Sequence, residues 1–107
     1  AVLPRLTALT TLCLGGTTIS DTGDISAAAL AAVFPAMTAL TSLDLSYNSI
    51  SDTGAVALAA ALPSLNALTS LNLRGNDIEH AGRLALAKTC CTMPAVTTLN
   101  LSGNMTW

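Results

Sequence analysis

Few residues in this chain could do chemistry, and the titratable ones do not converge. His80 is the single histidine. It stands beside Glu79 with no serine or cysteine at a spacing that makes a nucleophile–base pair, so it reads as a solvated residue in a loop leading into a helix. Cys13, Cys90 and Cys91 form an odd set without C-x-x-C spacing or a histidine neighbour. That argues against a zinc site and against a disulfide framework, and favours thiols in a reducing compartment. Asp21 and Asp52 recur within Ser20-Asp21-Thr22-Gly23 and Ser51-Asp52-Thr53-Gly54. Such repetition could mark metal ligands, but His80 takes the same place in the next copy. An Asp or Thr there is better read as accepting from the free N–H groups of a helix's first turn. Gly15-Gly16 belongs to a repeat and not to a phosphate-cradling loop, and no two carboxylates are paired for acid–base work. The chemistry available is that of a chain with no catalytic residues, no metal and no cofactor.

The elements that carry these residues come from one motif used four times. Leu40 to Ile50 reads LTSLDLSYNSI, Leu68 to Ile78 reads LTSLNLRGNDI, and Val96 to Thr106 reads VTTLNLSGNMT. A looser copy, LTTLCLGGTTI, runs from Leu9 to Ile19. Within each, two leucines flank one polar or small residue (Leu43-Asp44-Leu45), the period-two signature of a short strand. The asparagine that closes the motif can satisfy backbone donors and acceptors in a tight bend. Thr17 replaces it in the first copy, so the first bend should be the least regular.

Between the strands lie helical stretches. In Gly54 to Leu62, Leu58 and Leu62 share one face with small alanines between them, and Pro63 ends the run. Gly82, Leu86, Ala87 and Cys90 take the places of Gly54, Leu58, Ala59 and Leu62, which makes Cys90 a core position. Cys91 replaces Pro63 and should be more exposed. The first copy carries three extra residues around Gly23-Asp24-Ile25. Three residues are nearly one helical turn, so they should lengthen the helix or the loop before it without shifting the strands. Val2 to Leu9 lines up with Leu62's surroundings, Ala61 to Leu68, as the tail of a helix. The expectation is a single domain over residues 1–107 that is a fragment of a longer array of repeats starting near Leu9, Leu40, Leu68 and Val96.

Composition excludes several functions. Charged residues are 9% of the chain and the net charge is −2, so no electrostatic hold on nucleic acid is expected. A membrane span needs about 20 unbroken apolar residues, and the apolar runs here are shorter. Asn100-Leu101-Ser102 and Asn104-Met105-Thr106 fit the glycosylation acceptor pattern. The repeat itself generates asparagine at both places, and no secretory signal pattern accompanies them.

The spacing L-x-x-L-x-L-x-x-N-x-I followed by G-x-x-x-L-a-x-a-L resembles a leucine-rich repeat, and its 28-residue period with a full helix resembles the ribonuclease-inhibitor-like class. Relatives of that class include the Ran GTPase-activating protein and the repeat domains of NOD-like receptors. The resemblance implies an α/β solenoid, a horseshoe segment with a parallel sheet of four short strands on the concave side and three helices on the convex side. It further implies a non-enzymatic module that binds another protein through the concave face, within the cell, in the cytosol or nucleus with the cytoplasm favoured. Strand alternation puts Cys13, Asp44, Asn72 and Asn100 on that face, beside Thr11, Ser42, Ser70 and Thr98. Ser46, Arg74 and Ser102 follow, with Tyr47 at the rim. The candidate contact residues are Asp44, Ser46, Tyr47, Asn72, Arg74 and Asn100; tyrosine and arginine are common interface anchors. Two alternatives stay open: a fragment of a GTPase-activating protein resembling the Ran activator, and a structural repeat that self-associates through uncapped ends.

Overall fold

Each copy of the motif folds as a three-residue strand whose polar residues turn one way and whose leucine turns the other. The computed structural model describes residues 8–17, 19 and 26–104. The strands are β1 (Thr11–Cys13), β2 (Ser42–Asp44), β3 (Ser70–Asn72) and β4 (Thr98–Asn100). They form one parallel sheet in chain order. Parallel neighbours need a crossover, and three helices supply it: α1 (Ala27–Val33), α2 (Asp52–Ala61) and α3 (His80–Cys91).

The register is that of the sequence repeat: Leu12, Leu43, Leu71 and Leu99 stand side by side, as do Cys13, Asp44, Asn72 and Asn100. The three extra residues of the first copy leave this pairing undisturbed. Thr41 donates through Oγ1 to the Thr10 carbonyl 31 positions earlier, while Thr69 makes the same bond to Thr41 across 28. The described part of α1 begins at Ala27, where Ser26 accepts from the Ala29 N–H at 3.0 Å. Several expectations lie outside the described residues: the opening helix tail, the Ser20–Gly23 cap with Asp21, the insertion at residues 23–25, and the end of the second acceptor pattern.

Proline decides how the helices end. A proline has no N–H to give to the carbonyl four residues back. Thus α1 and α2 each tighten into a 3₁₀ turn, Phe34–Ala36 and Leu62–Ser64, that contains Pro35 or Pro63. Cys91 replaces that proline in the third helix, and α3 continues through it. Thr92 then closes α3 by donating its hydroxyl to the Thr89 carbonyl at 2.7 Å.

The helix starts depart from expectation in one respect. Asp52 does not cap its own helix. Its Oδ1 accepts from the N–H groups of Glu79, at 2.8 Å, and Gly82, at 2.9 Å, in the first turn of α3. The carboxylate thus caps the next helix along the array, which explains how α3 starts on Glu79-His80 without a capping side chain of its own. Close approach is the cause: a Cβ on Gly82 would come within 2.6 Å of Asp52 Oδ1 and 3.0 Å of the Ala55 Cβ.

The core runs between sheet and helices. Leu40, Leu43, Leu45, Leu68, Leu71 and Leu73 are at most 1% exposed, and Phe34, Leu58, Leu62 and Leu86 are equally enclosed. Each such side chain contributes about 1.5–3 kcal/mol relative to an exposed one. Leu12 and Leu99, in the outermost strands, and Leu14 and Leu101, just after them, are only partly buried. Cys90 follows the same rule: it is half-buried, not fully in the core, because α3 packs against α2 on one side only among the described residues. Cys91 is exposed, as its place opposite Pro63 implied.

Candidate partner-binding face

The outward residues of the strands first serve the fold. Asp44 Oδ1 accepts from the Ser46 N–H at 2.9 Å, and Asn72 Oδ1 from the Arg74 N–H at 3.0 Å. Asn100 Oδ1 takes both the Ser102 N–H, at 3.0 Å, and its hydroxyl, at 2.7 Å. β2, β3 and β4 therefore each end in a side-chain-to-backbone turn, while backbone bonds between repeats continue beyond it, as from the Tyr47 N–H to the Arg74 carbonyl. All three side chains are half-buried. The second carboxylate oxygen of Asp44 and the amide nitrogens of Asn72 and Asn100 have no protein partner among the described residues.

Ser46 leaves the group of exposed candidates. It is 7% exposed, and its carbonyl accepts from the Gly16 N–H at 2.9 Å and from Asn48 Nδ2 at 3.2 Å. The equivalent Arg74 is exposed because its side chain is long enough to clear its neighbours, whereas a serine between two repeats is not. The Ser46 hydroxyl lies beside Gly15 of the preceding repeat, 3.0 Å from where a Cβ on that glycine would stand.

The next position sets one repeat apart. Gly16, Gly75 and Gly103 have φ of 69°, 72° and 71°, and Tyr47, the residue in the same place of the second copy, has φ of 54°. Glycine adopts this left-handed conformation freely, while a tyrosine with its Cβ loses on the order of 1 kcal/mol or more. The ring does not fold away to recover that cost in the core, since Tyr47 remains 60% exposed. It lies across Gly75, where an added Cβ would stand 2.6 Å from ring atom Cδ1. On the ring rests Arg74, with Cζ 5.9 Å from the centroid. A cation–π contact at an exposed site contributes about 0.5–1 kcal/mol. Among the described residues Arg74 has no carboxylate partner. The flanking floor is bare: Gly15 and Gly16 are exposed on one side, and Gly103 on the other.

One residue further, the chain turns inward through a column of asparagines. Asn48 Oδ1 accepts from Thr17 N–H at 3.1 Å and Ile19 N–H at 2.9 Å, and its Nδ2 donates to the carbonyls of Leu14, Leu45 and Ser46. Asn76 and Asn104 repeat the pattern, accepting from Ile50 and Ile78 and donating back to Leu45 and Leu73. Thr17 keeps the bond to the carbonyl three residues back, Leu14, at 2.7 Å. Part of that first bend lies outside the described residues. These asparagines tie their own strand ends to the repeat before.

A second column was overlooked in reading the sequence. The carbonyls of Thr10, Thr41 and Thr69 each accept from the backbone N–H and the hydroxyl of the next threonine, Thr41, Thr69 and Thr97. The signal was present as a threonine after the first aliphatic residue of every copy.

Cys90 is not an activated thiol. Burial, and secondarily the neighbouring Cys91, raise the Cys90 thiol above its ordinary value, which lowers its thiolate fraction. Among the described residues no three His, Cys, Asp or Glu side chains are gathered as metal ligands would be. No helix among them is long and apolar enough to cross a membrane.

Comparison with known families agrees with this geometry. Residues 36–59 and 64–87 each match the family model described as Leucine Rich repeat, and these stretches contain β2 with most of α2 and β3 with most of α3. A comparison with curated proteins returned no match. Leucine-rich repeats generally mediate protein–protein interaction and are generally non-enzymatic.

Proposed function

Starting from the fact that this chain is a leucine-rich repeat protein, we propose that it is a non-enzymatic binding module whose concave rim, with Asp44, Tyr47, Asn72, Arg74 and Asn100, contacts another protein. One observation carries the reading. Tyr47 is 60% exposed in a left-handed conformation that the other three repeats give to glycine, a choice that does nothing for the core. Strain kept at an exposed aromatic points to function. Size bounds the strength of the contact. Four strands at about 4.8 Å spacing make a sheet ~15 Å wide, whereas a standard interface takes about 800 Å² from each partner. The described repeats supply part of such an interface. The 28-residue step and the helices α2 and α3 support placing the repeats in the ribonuclease-inhibitor-like class. Three free cysteines support a reducing compartment, the cytoplasm.

The test is the triple variant Asp44→Ala, Tyr47→Ala, Arg74→Ala. Partner capture should vanish while the far-ultraviolet circular dichroism is kept; undiminished capture sinks the proposal. A second reading, self-association, draws on the partly buried leucines of β1 and β4 against the enclosed ones of β2 and β3. Light scattering that stays at the monomer mass up to high concentration ends it. GTPase activation rests on likeness of fold alone, and a GTP-hydrolysis assay with small GTPases decides it.

A further inference from the structure

The rim does more than offer an aromatic ring: it presents one cation already held in place. The Arg74 guanidinium sits 5.9 Å from the centroid of Tyr47, whose ring is in turn seated on Gly75. Both side chains are exposed. Asp44 accepts from the Ser46 N–H with one carboxylate oxygen, and Asp52 accepts from two N–H groups at the start of α3. Neither makes an ion pair with Arg74. The neighbouring repeats contribute Gly15, Gly16 and Gly103, which bring no side chain to obstruct an approaching group.

We propose that Tyr47 and Arg74 form a preassembled anchor for a carboxylate-bearing, acidic segment of the partner protein. This rests on the reading of the concave rim as a protein-binding face. A guanidinium over the face of a ring at cation–π distance leaves its planar fork of N–H donors unused by the protein, and that fork matches a carboxylate. The ring favours one placement of the arginine, so less freedom is lost when the acid docks. The chain as a whole is acidic, at −2. The rim cation is therefore a local feature, unlike the broad basic surface that nucleic acid selects.

The experiment is an NMR titration of the 107-residue chain, following the Arg74 side-chain Nε–H and the Tyr47 ring protons. The probes are a blocked glutamate-rich peptide, its glutamine counterpart and inorganic phosphate. The glutamate peptide should shift both sets of signals and the glutamine peptide neither. Arg74→Ala should weaken the response followed at the Tyr47 ring by roughly 10- to 100-fold, as expected for losing a charge-assisted pair of hydrogen bonds. Arg74→Lys should restore only part of it. Tyr47→Gly, which suits the local backbone, should keep the fold and weaken the response followed at Arg74. Equal shifts with the glutamine peptide, a stronger response to phosphate, or an undiminished response in Arg74→Ala each overturn the proposal. A rim that ignores acidic peptides but still loses its partner in the triple alanine variant would overturn the carboxylate anchor and leave the binding face standing.

Discussion

Tyr47 and Asn48 are neighbours in the chain and opposites in what the array asks of them. Asn48 belongs to a column that three repeats fill with the same residue, and every polar atom of its side chain is engaged between one repeat and the last. Tyr47 belongs to a column that three repeats fill with glycine, and it alone extends a ring into solvent. Where a position joins repeats, three copies keep asparagine and the first substitutes a threonine that preserves one of its bonds; where it only turns the chain, the structure tolerates a costly exception. The difference separates residues that maintain the solenoid from residues free to recognise something.

The contrast can be broken most forcefully at Asn48. Asn48→Ala leaves the N–H groups of Thr17 and Ile19 without this acceptor, and the carbonyls of Leu14, Leu45 and Ser46 without this donor. Urea denaturation should show a loss of about 3 kcal/mol or more, given the cost of buried unsatisfied groups. A loss under about 1 kcal/mol would mean that water replaces the side chain and that the column is not what joins the repeats.

Gly82→Ala comes next. Its new Cβ meets Asp52 Oδ1 and, at 2.7 Å, Ile78 Cγ2. Overpacking of about 1–3 kcal/mol outweighs the ~1 kcal/mol that alanine gains in a helix. Hydrogen exchange should speed in the first turn of α3 as the cap from Asp52 is displaced. Unchanged exchange there would argue that the carboxylate is dispensable.

At the rim the effects shrink. Gly75→Ala combines a left-handed φ with a clash against the Tyr47 ring, for a loss of about 1–2 kcal/mol. It should also abolish the ring-current shift of the Arg74 side chain. If that shift persists, the ring is not seated as described.

The smallest effect sharpens the comparison most. Tyr47→Gly should be more stable than Tyr47→Ala by about 1 kcal/mol, because alanine keeps the backbone strain that glycine relieves. Equal stability in denaturation would show that Tyr47 costs the fold nothing and would remove the argument from strain.

Much of this architecture was legible in the chain itself. The repeated L-x-x-L-x-L spacing implied four short strands and their register, the resemblance to leucine-rich repeats implied that they run parallel, and three extra residues left that register intact because they enter away from the strands. The match of Cys91 to Pro63 located an exposed cysteine, although the extension of α3 through it went unread. Ser46 is enclosed where the equivalent Arg74 is exposed, a difference of side-chain length and of neighbours that the repeat pattern does not carry. The left-handed state of Tyr47 could have been read by setting it beside Gly16, Gly75 and Gly103.

What the sequence determined by itself was whatever depends on period: which residues form strands, which face inward, and which positions recur in columns. The tertiary structure alone decided which repeat a side chain serves. Asp52 caps the helix after its own, Asn48 completes the bend before its own, and Arg74 reaches back to Tyr47. The reason is distance. Residues some 28 positions apart in the chain become nearest neighbours, and at strand spacings of about 4.8 Å a side chain touches the adjacent repeat as easily as its own.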